Sequence, residues 1–419
     1  MKSVPAAPSQ KNVRRAPVQL VAPLDAHPDQ RLAHAAMDPV LAAVTVALVG
    51  FGVVMVYSAS AVQATVQHHD PQFFLKRQAA YAAAALVILF GVSRFDYHRI
   101  YRLTYPLLAL TGLLSVACVV GFGHTAGGAT RWISVGPIHV QPAEIAKLAI
   151  VTWLAYSLAK KAEQVKEFTV GFLPHLLVAG LFMFLCMTQK DFGSAVVLLL
   201  MTFILLFVAG AKLGYLLGAS FLGVGFGAAA IRFSGYRYER FLAWLHMDQH
   251  RQDIAYQAFQ SVISFGSGGP WGVGLGHGLQ TLYLPEAHTD FVAAIIGEEL
   301  GFVGIAFVCA AYLVLVVRGV RAALRAPDDY GSYLAFGISA MLGVQALLNL
   351  AVALAILPTK GLTLPFISFG GSSLLVSAAA AGILLNVSRQ GPPLPEEPLE
   401  PEEEVEHDES SDDLVEATS

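Results

Sequence analysis

The segment Leu284-Pro285-Glu286-Ala287-His288-Thr289-Asp290 sets two carboxylates, an imidazole and a hydroxyl immediately before the apolar run Phe291-Val292-Ala293-Ala294-Ile295-Ile296. Carboxylate and imidazole groups accept and return protons, and a carboxylate can also take a cation. The chain around this heptad is 55% hydrophobic and 13% charged. Polar groups clustered at the mouth of a lipid-embedded helix therefore mark a functional site. Thr289 or Asp290 could instead cap the helix N-terminus. Capping alone leaves Glu286 and His288 unexplained.

Two further constellations could do chemistry. In Arg131-Trp132 and Gln141-Pro142-Ala143-Glu144-Ile145-Ala146-Lys147, Glu144 and Lys147 are three residues apart and share one helix face. Charge at membrane depth costs about 2.5–3.5 kcal/mol on insertion scales, so both must be paired or line water. They are either a salt bridge that fixes the helix, or a site where Lys147 and Arg131 neutralise an anionic headgroup while Glu144 holds Lys147. The third segment runs from Leu357 to Ser373 and holds Lys360, Pro358, Pro365, Ser368 and Gly370-Gly371-Ser372. Its prolines and paired glycines predict non-helical backbone, which survives at membrane depth only against protein or a wet cavity. Gly370, Gly371 and Ser372 ahead of a helix would cradle an anion, or form a re-entrant turn needed for packing.

Weaker signals surround these. Glu298 and Glu299 are expected to face the bundle and bond to groups such as Gln345 or Asn349. Gly272-Val273-Gly274-Leu275-Gly276-His277-Gly278 has phosphate-loop glycines without the strand–turn–helix context such a loop needs. His246 and His250 around Asp248, and His68-His69-Asp70, are surface decoration on this reading. Cys118, Cys186 and Cys309 fall in apolar runs without metal or disulfide spacing, as buried small hydrophobes do.

These residues must be positioned by helices. The mean hydropathy is +0.59 over 419 residues, and apolar runs recur near 39–61, 78–93, 104–121, 143–159, 172–188, 194–210, 213–231, 291–317, 332–356 and 372–388. Such runs suit a hydrocarbon core of ~30 Å. They lack the alternation of barrel strands, so the fold is all-α, a polytopic membrane bundle of about ten transmembrane helices. Sixteen Lys and Arg residues, from Lys2 through Arg94, Lys160, Lys212 and Arg318 to Arg389, fall in one set of connections. By the positive-inside rule both termini are cytoplasmic, and the heptad faces outside.

The large extracytoplasmic loop between helices 7 and 8, from about Arg232 to Asp290, is long enough to carry its own structure. Its latter half should start with an amphipathic helix on the outer leaflet. Residues 38–389 form the membrane domain. Residues 1–37 and 390–419 read as disordered cytoplasmic segments. No removable signal peptide is visible, so the first span would direct insertion. Twelve acidic residues follow Gly391, leaving 18 acids against 26 bases in the rest, a net +8. The tail is a solubilising segment or a dock for a basic partner.

Together, Val56-Tyr57-Ser58-Ala59-Ser60, Arg131-Trp132-Ile133, Gln141 to Lys147, Tyr283 to Phe291 with Gly297-Glu298-Glu299-Leu300-Gly301, and Leu357 to Ser373 resemble the SEDS family of shape, elongation, division and sporulation proteins. The resemblance covers roughly 38–389. Pro358 to Pro365 and Glu286-Ala287-His288 are most similar to its division branch; Lys190 departs from the family, where proline is usual.

The resemblance implies a peptidoglycan glycosyltransferase that polymerises lipid II at the outer face of the cytoplasmic membrane, for septal wall synthesis. It implies Asp290 as the catalytic base. Arg131, Lys147 and Lys360 are then candidates for pyrophosphate charge, with Glu144, Glu286, His288, Thr289, Ser368, Gly370, Gly371 and Ser372 as further substrate contacts. A divalent cation on Asp290 would suit the chemistry, but no ligand set is legible. Implied partners are a class B penicillin-binding protein transpeptidase and other cell-division proteins; nucleic acid is not among them. A lipid II flippase and a non-catalytic scaffold of the division machinery remain open alternatives.

Overall fold

The computed structural model describes residues 37–126, 129–136 and 138–390. The two expected terminal segments lie outside them, save Met37 and Gln390. Gln390 is part of the folded body, since its side chain donates to Asp96.

Among the described residues thirteen α-helices follow one another: α1 Pro39–His68, α2 Phe73–Val92, α3 His98–Ala117, α4 Pro142–Lys160, α5 Leu173–Thr188, α6 Phe192–Val208, α7 Leu213–Arg232, α8 Gly235–Leu245, α9 Tyr256–Gly268, α10 Val292–Glu299, α11 Gly301–Leu324, α12 Asp329–Ala353 and α13 Gly371–Arg389. Among the described residues, seven helices are long and apolar enough to cross a membrane, and α6 and α7 provide shorter apolar stretches. α4, which carries Glu144, Lys147 and Lys160, makes the remaining crossing, and the short α10 leads into α11. The architecture is the expected polytopic helical bundle of about ten crossings.

Alternation of the helices puts the connections carrying Arg94, Lys161, Lys166, Lys212 and Arg325 at one end. Asp38 caps α1 there, accepting from the Val40 and Leu41 amides, and pairs with Arg318 of α11 at 2.7 Å. α4, α12 and α13 form the interior: 61% and 72% of the apolar windows of α12 and α13 are buried, against 22% for α2 and α3. The faces of α2 and α3 left outside the bundle are the ones that meet lipid. α4 is apolar nearly all round, as a buried helix must be.

Four features depart from the sequence expectations. α1 and α2 both extend beyond their apolar runs, to His68 and from Phe73, because helix ends project into the interface. The run 291–317 is not one helix. It breaks at Leu300–Gly301, where Gly301 has φ 65° and a side chain would collide with the backbone of Pro270 and Gly272. α9, expected on the outer leaflet, has one face packed on protein. Gly268 sits directly against the Gly297 carbonyl, and Ser261 donates to Ala353, so α9 packs on α10 and α12.

The fourth feature is a small antiparallel sheet, β1 Gly123–Ala126, β2 Ala129–Val135 and β3 Ile138–Val140, in the order β1-β2-β3 between α3 and α4. Cys309 is exposed on α11, unlike buried Cys118 and Cys186. A small thiol on an outward helix face is tolerated because lipid is as apolar as a core.

Candidate functional site

Asp290 stands at the end opposite the basic connections, on a turn built by its own segment. Glu286 adopts φ 59°, and its carbonyl accepts from the amides of Thr289, Asp290 and Phe291. The Glu286 carboxylate accepts from the Thr289 hydroxyl at 2.8 Å. Leu284, Ala287 and Phe291 are buried and anchor the turn. α10 begins at Val292 with Phe291 at its N-cap position and no side-chain cap, so neither Thr289 nor Asp290 serves as one. Asn349 of α12 donates to the carbonyls of both Asp290 and Leu362, tying the heptad to the 357–370 segment.

The Asp290 side chain keeps part of its surface open, yet the protein around it is dense enough to desolvate it. Burial pushes its carboxyl up to about 7, Glu286 and Asp191 act in the same direction, and Arg131 opposes them. A carboxylate at that value is a competent proton acceptor near neutral pH.

Arg131 reaches the site from β2. A Cβ on Gly361 would lie 3.1 Å from Arg131 Nη1 and 3.2 Å from Asp290 Oδ2, so a residue without a side chain lets guanidinium and carboxylate approach. Lys360, next in the chain, places Nζ 4.4 Å from the Phe192 ring centre. Burial lowers its pKa to about 8, with Arg240, Arg237 and Arg131 adding to the effect. The structure therefore brings Arg131, Glu286, Thr289, Asp290 and Lys360 together.

His288 faces away, packed between Phe74 and Phe369 at ring separations of 4.5 and 5.5 Å. It is 4% exposed, and burial lowers its pKa, which keeps the imidazole neutral. Its carbonyl accepts from the Phe369 amide, which joins the heptad to the Ser368–Gly371 turn. Ser368 closes that turn by accepting from the Leu364 amide at 2.8 Å. Residues 364–368 are buried, the condition for irregular backbone at membrane depth. The start of α13 is occupied by protein: Tyr81 covers Gly371, and the Ser372 hydroxyl accepts from the Gln141 amide and donates to the His139 carbonyl.

Glu144 and Lys147 lie deeper, 5% and 1% exposed, with Lys147 Nζ 2.8 Å from Glu144 and 2.7 Å from Gln345. Gln345 donates on to Thr363, whose hydroxyl meets Ser373 at 2.7 Å. This network meets the 357–370 segment at Thr363 and, among the described residues, makes no hydrogen bond to the Asp290 side chain. Asp191 caps α6 and spends both oxygens on Ser194 and Gln141.

Sequence reading missed Asp191, Gln345 and Asn349 as organisers of the site, and Arg237 and Arg240 as neighbours of Lys360. The one available signal was a polar residue inside an apolar run.

Glu298 and Glu299 do not bond Gln345 or Asn349. Glu299 accepts from Ser58 of α1 at 2.6 Å, and Glu298 from the amides of Leu279 and Gln280. Gly278 packs against both side chains, where a Cβ would fall 2.8 Å from Glu298 Oε2, and Gly272 lies against the Glu299 carbonyl. Among the described residues, no three His, Cys, Asp or Glu side chains converge on one point. The donors present among the described residues thus do not by themselves make a metal centre.

The family of cell cycle proteins comprising FtsW, RodA and SpoVE matches residues 39–391. Probable peptidoglycan glycosyltransferase FtsW of Geobacter metallireducens is 45% identical over 84% of this chain and 94% of its own length. Stage V sporulation protein E of Bacillus subtilis is 37% identical over 84% and 97%. Among solved structures, a chain of a peptidoglycan synthase complex that coordinates polymerization and crosslinking superposes with a TM-score of 0.71 at 31% identity, covering 84% of this chain and 98% of that one. The rod shape determining protein RodA of Thermus thermophilus gives 0.63 at 30%, covering 85% and 98%.

Proposed function

The chain belongs to the FtsW, RodA and SpoVE family of cell cycle proteins, and from that premise we propose that it is a peptidoglycan glycosyltransferase. It polymerises lipid II into glycan strands at the outer face of the cytoplasmic membrane, for septal wall synthesis. The observation that carries the reading is Asp290: a partly exposed residue whose carboxyl burial pushes up to about 7, meeting Arg131 at Gly361, the residue after Lys360.

The reaction needs those two kinds of group together. The acceptor's sugar hydroxyl gives its proton to Asp290 as its oxygen bonds to C1 of the donor sugar. The bond from C1 to the diphosphate oxygen breaks, and its electron pair leaves with the diphosphate. Arg131 and Lys360 neutralise the charge that grows there, which stabilises the transition state more than the bound substrate. Asp290 sits at a helix mouth, so prenyl tails stay in lipid while sugars meet in water. Glu144 and Lys147 support the Gln345–Thr363 chain beneath Lys360, and His288 locks the heptad onto Phe74 and Phe369.

The names of the relatives support polymerisation over a flippase or a scaffold. The neighbour solved as a synthase complex supports a transpeptidase of the class B penicillin-binding type as partner. Both termini are cytoplasmic on this reading, since the basic connections share the end opposite Asp290, and the protein works at the septum with other division proteins.

The test is polymer formation from labelled lipid II by the purified full chain with that partner, beside lipid transfer across vesicles. Long glycan products are expected. Lipid crossing the bilayer with no polymer would assign a flippase, and neither activity would leave a scaffold.

A further inference from the structure

Positive groups gather beside Asp290 from elements far apart in the chain. Arg131 Nη2, from β2, donates to the Lys190 carbonyl at 2.6 Å, and Arg237 Nη2, from α8, to the Met187 carbonyl at 3.5 Å. Both guanidiniums therefore dock on the turn between α5 and α6. Lys360 stands over Phe192, the first residue of α6. Arg240 follows Arg237 by three residues on the same face of α8 and acts on Lys360 from there.

Among the described residues, no ion pair joins Arg131, Arg237 or Lys360 to a carboxylate. Asp191, the acid on that turn, is already committed to Ser194 and Gln141. Asp290 acts on Arg131, but a single carboxyl that is half-protonated near 7 does not offset three half-buried cations, which repel one another unless a further anion sits among them. α8 is fixed for that purpose: Ala243 is buried, and Trp244 Nε1 donates to the Ala355 carbonyl at 2.8 Å, at the base of the loop carrying Lys360.

We propose that α8 supplies a wall of the diphosphate site, with Arg237 and Arg240 joining Arg131 and Lys360 around the departing diphosphate of the donor lipid. This rests on the glycosyltransferase reading above. The donor's diphosphate is the one meant, because Gly361 brings Arg131 and Asp290 to one point, where the bond to C1 breaks. The acceptor's own diphosphate is a disaccharide away from its attacking hydroxyl. Charge on the leaving group grows as that bond breaks, so α8 contributes to the rate as well as to binding.

The experiment uses the full chain with its transpeptidase partner at fixed ionic strength and inorganic pyrophosphate as probe. Melting temperature is followed as pyrophosphate is added, alongside inhibition of polymerisation. Wild type and Asp290→Asn are expected to melt higher with pyrophosphate, as any ligand of the folded state requires. Arg237→Gln and Arg240→Gln should fold normally, show a smaller shift, and need about tenfold more pyrophosphate for inhibition, the effect of losing one charge-assisted contact. Arg237→Lys should recover part of the shift.

Wild-type sensitivity in both Gln variants, with sensitivity lost in Arg131→Gln and Lys360→Gln, would overturn the role of α8 and leave the glycosyltransferase reading standing. Full sensitivity in all four would overturn the diphosphate site itself, while polymer formation by wild type would still report on the activity.

Discussion

Replacing Lys147 with Met removes one half of a buried pair and should cost more than the fold can spare. Lys147 is 1% exposed, and its ammonium bonds Glu144 at 2.8 Å and Gln345 at 2.7 Å. Without it, Glu144 is a carboxylate alone in the interior, a loss of about 3–5 kcal/mol when one partner of a buried pair goes. The Gln345 oxygen also loses its donor, at about 1–3 kcal/mol. Set against a typical net stability of about 5–15 kcal/mol, Lys147→Met should cut folded yield severely and lower the melting temperature of what remains.

The double variant Glu144→Gln with Lys147→Met removes both charges and keeps an amide able to meet Gln345, so folded yield should return. Polymerisation should return with it, since Lys147 does not reach Asp290. Size-exclusion profiles and melting curves in detergent, followed by lipid II polymerisation, measure both. A single variant that folds and melts like wild type would refute the energetic argument. A folded but inactive double variant would show that Lys147 meets substrate.

Other outcomes follow from the same geometry. Polymerisation should rise with pH through about 7 as Asp290 loses its proton and fall above about 8 as Lys360 loses its charge, a bell-shaped profile; a flat profile from pH 6 to 9 would contradict both assignments. Burial raises the folded-state pKa of Asp290 above the ordinary value of 3.8, so its ionisation opposes folding increasingly from about 4 up to 7 and fully above that. Asp290→Asn should therefore melt higher than wild type at pH 8, and the advantage should vanish at pH 4. Gly272→Ala should abolish folded yield, since φ 79° and the Glu299 carbonyl leave no place for a methyl; normal yield would refute that packing. In spheroplasts of a cysteine-free version, a cysteine at Gln257 should react with a membrane-impermeant maleimide and one at Arg321 should not; the reverse pattern would invert the topology.

The helices were legible because lipid demands that every backbone group be satisfied within the segment, which leaves long apolar runs as the signature. The heptad was legible for the converse reason: Glu286, His288 and Asp290 are conspicuous where nearly everything else is apolar. Convergence was not legible. Arg131, Asp290, Arg237 and Gly361 come from four separate elements, and nothing in the spacing along the chain says that they meet. The break at Gly301 hides inside a continuous apolar run, and its cause, the backbone of Gly272, lies about thirty residues earlier. The loop glycines were visible as glycines, but Gly278 packs against the Glu298 and Glu299 side chains and Gly272 against the Glu299 carbonyl rather than against a phosphate. The sheet escaped notice because β3 spans only Ile138–Val140 and β1 only Gly123–Ala126, too short for alternation to register.

The central claim is that the Asp290 carboxylate takes the acceptor's proton. Asp290→Asn keeps the shape of the side chain and removes its basicity. Purified with the transpeptidase partner and given labelled lipid II, this variant should fold, bind the partner as wild type does, and make no glycan polymer. Glycan chains formed at a rate near that of wild type would contradict the account.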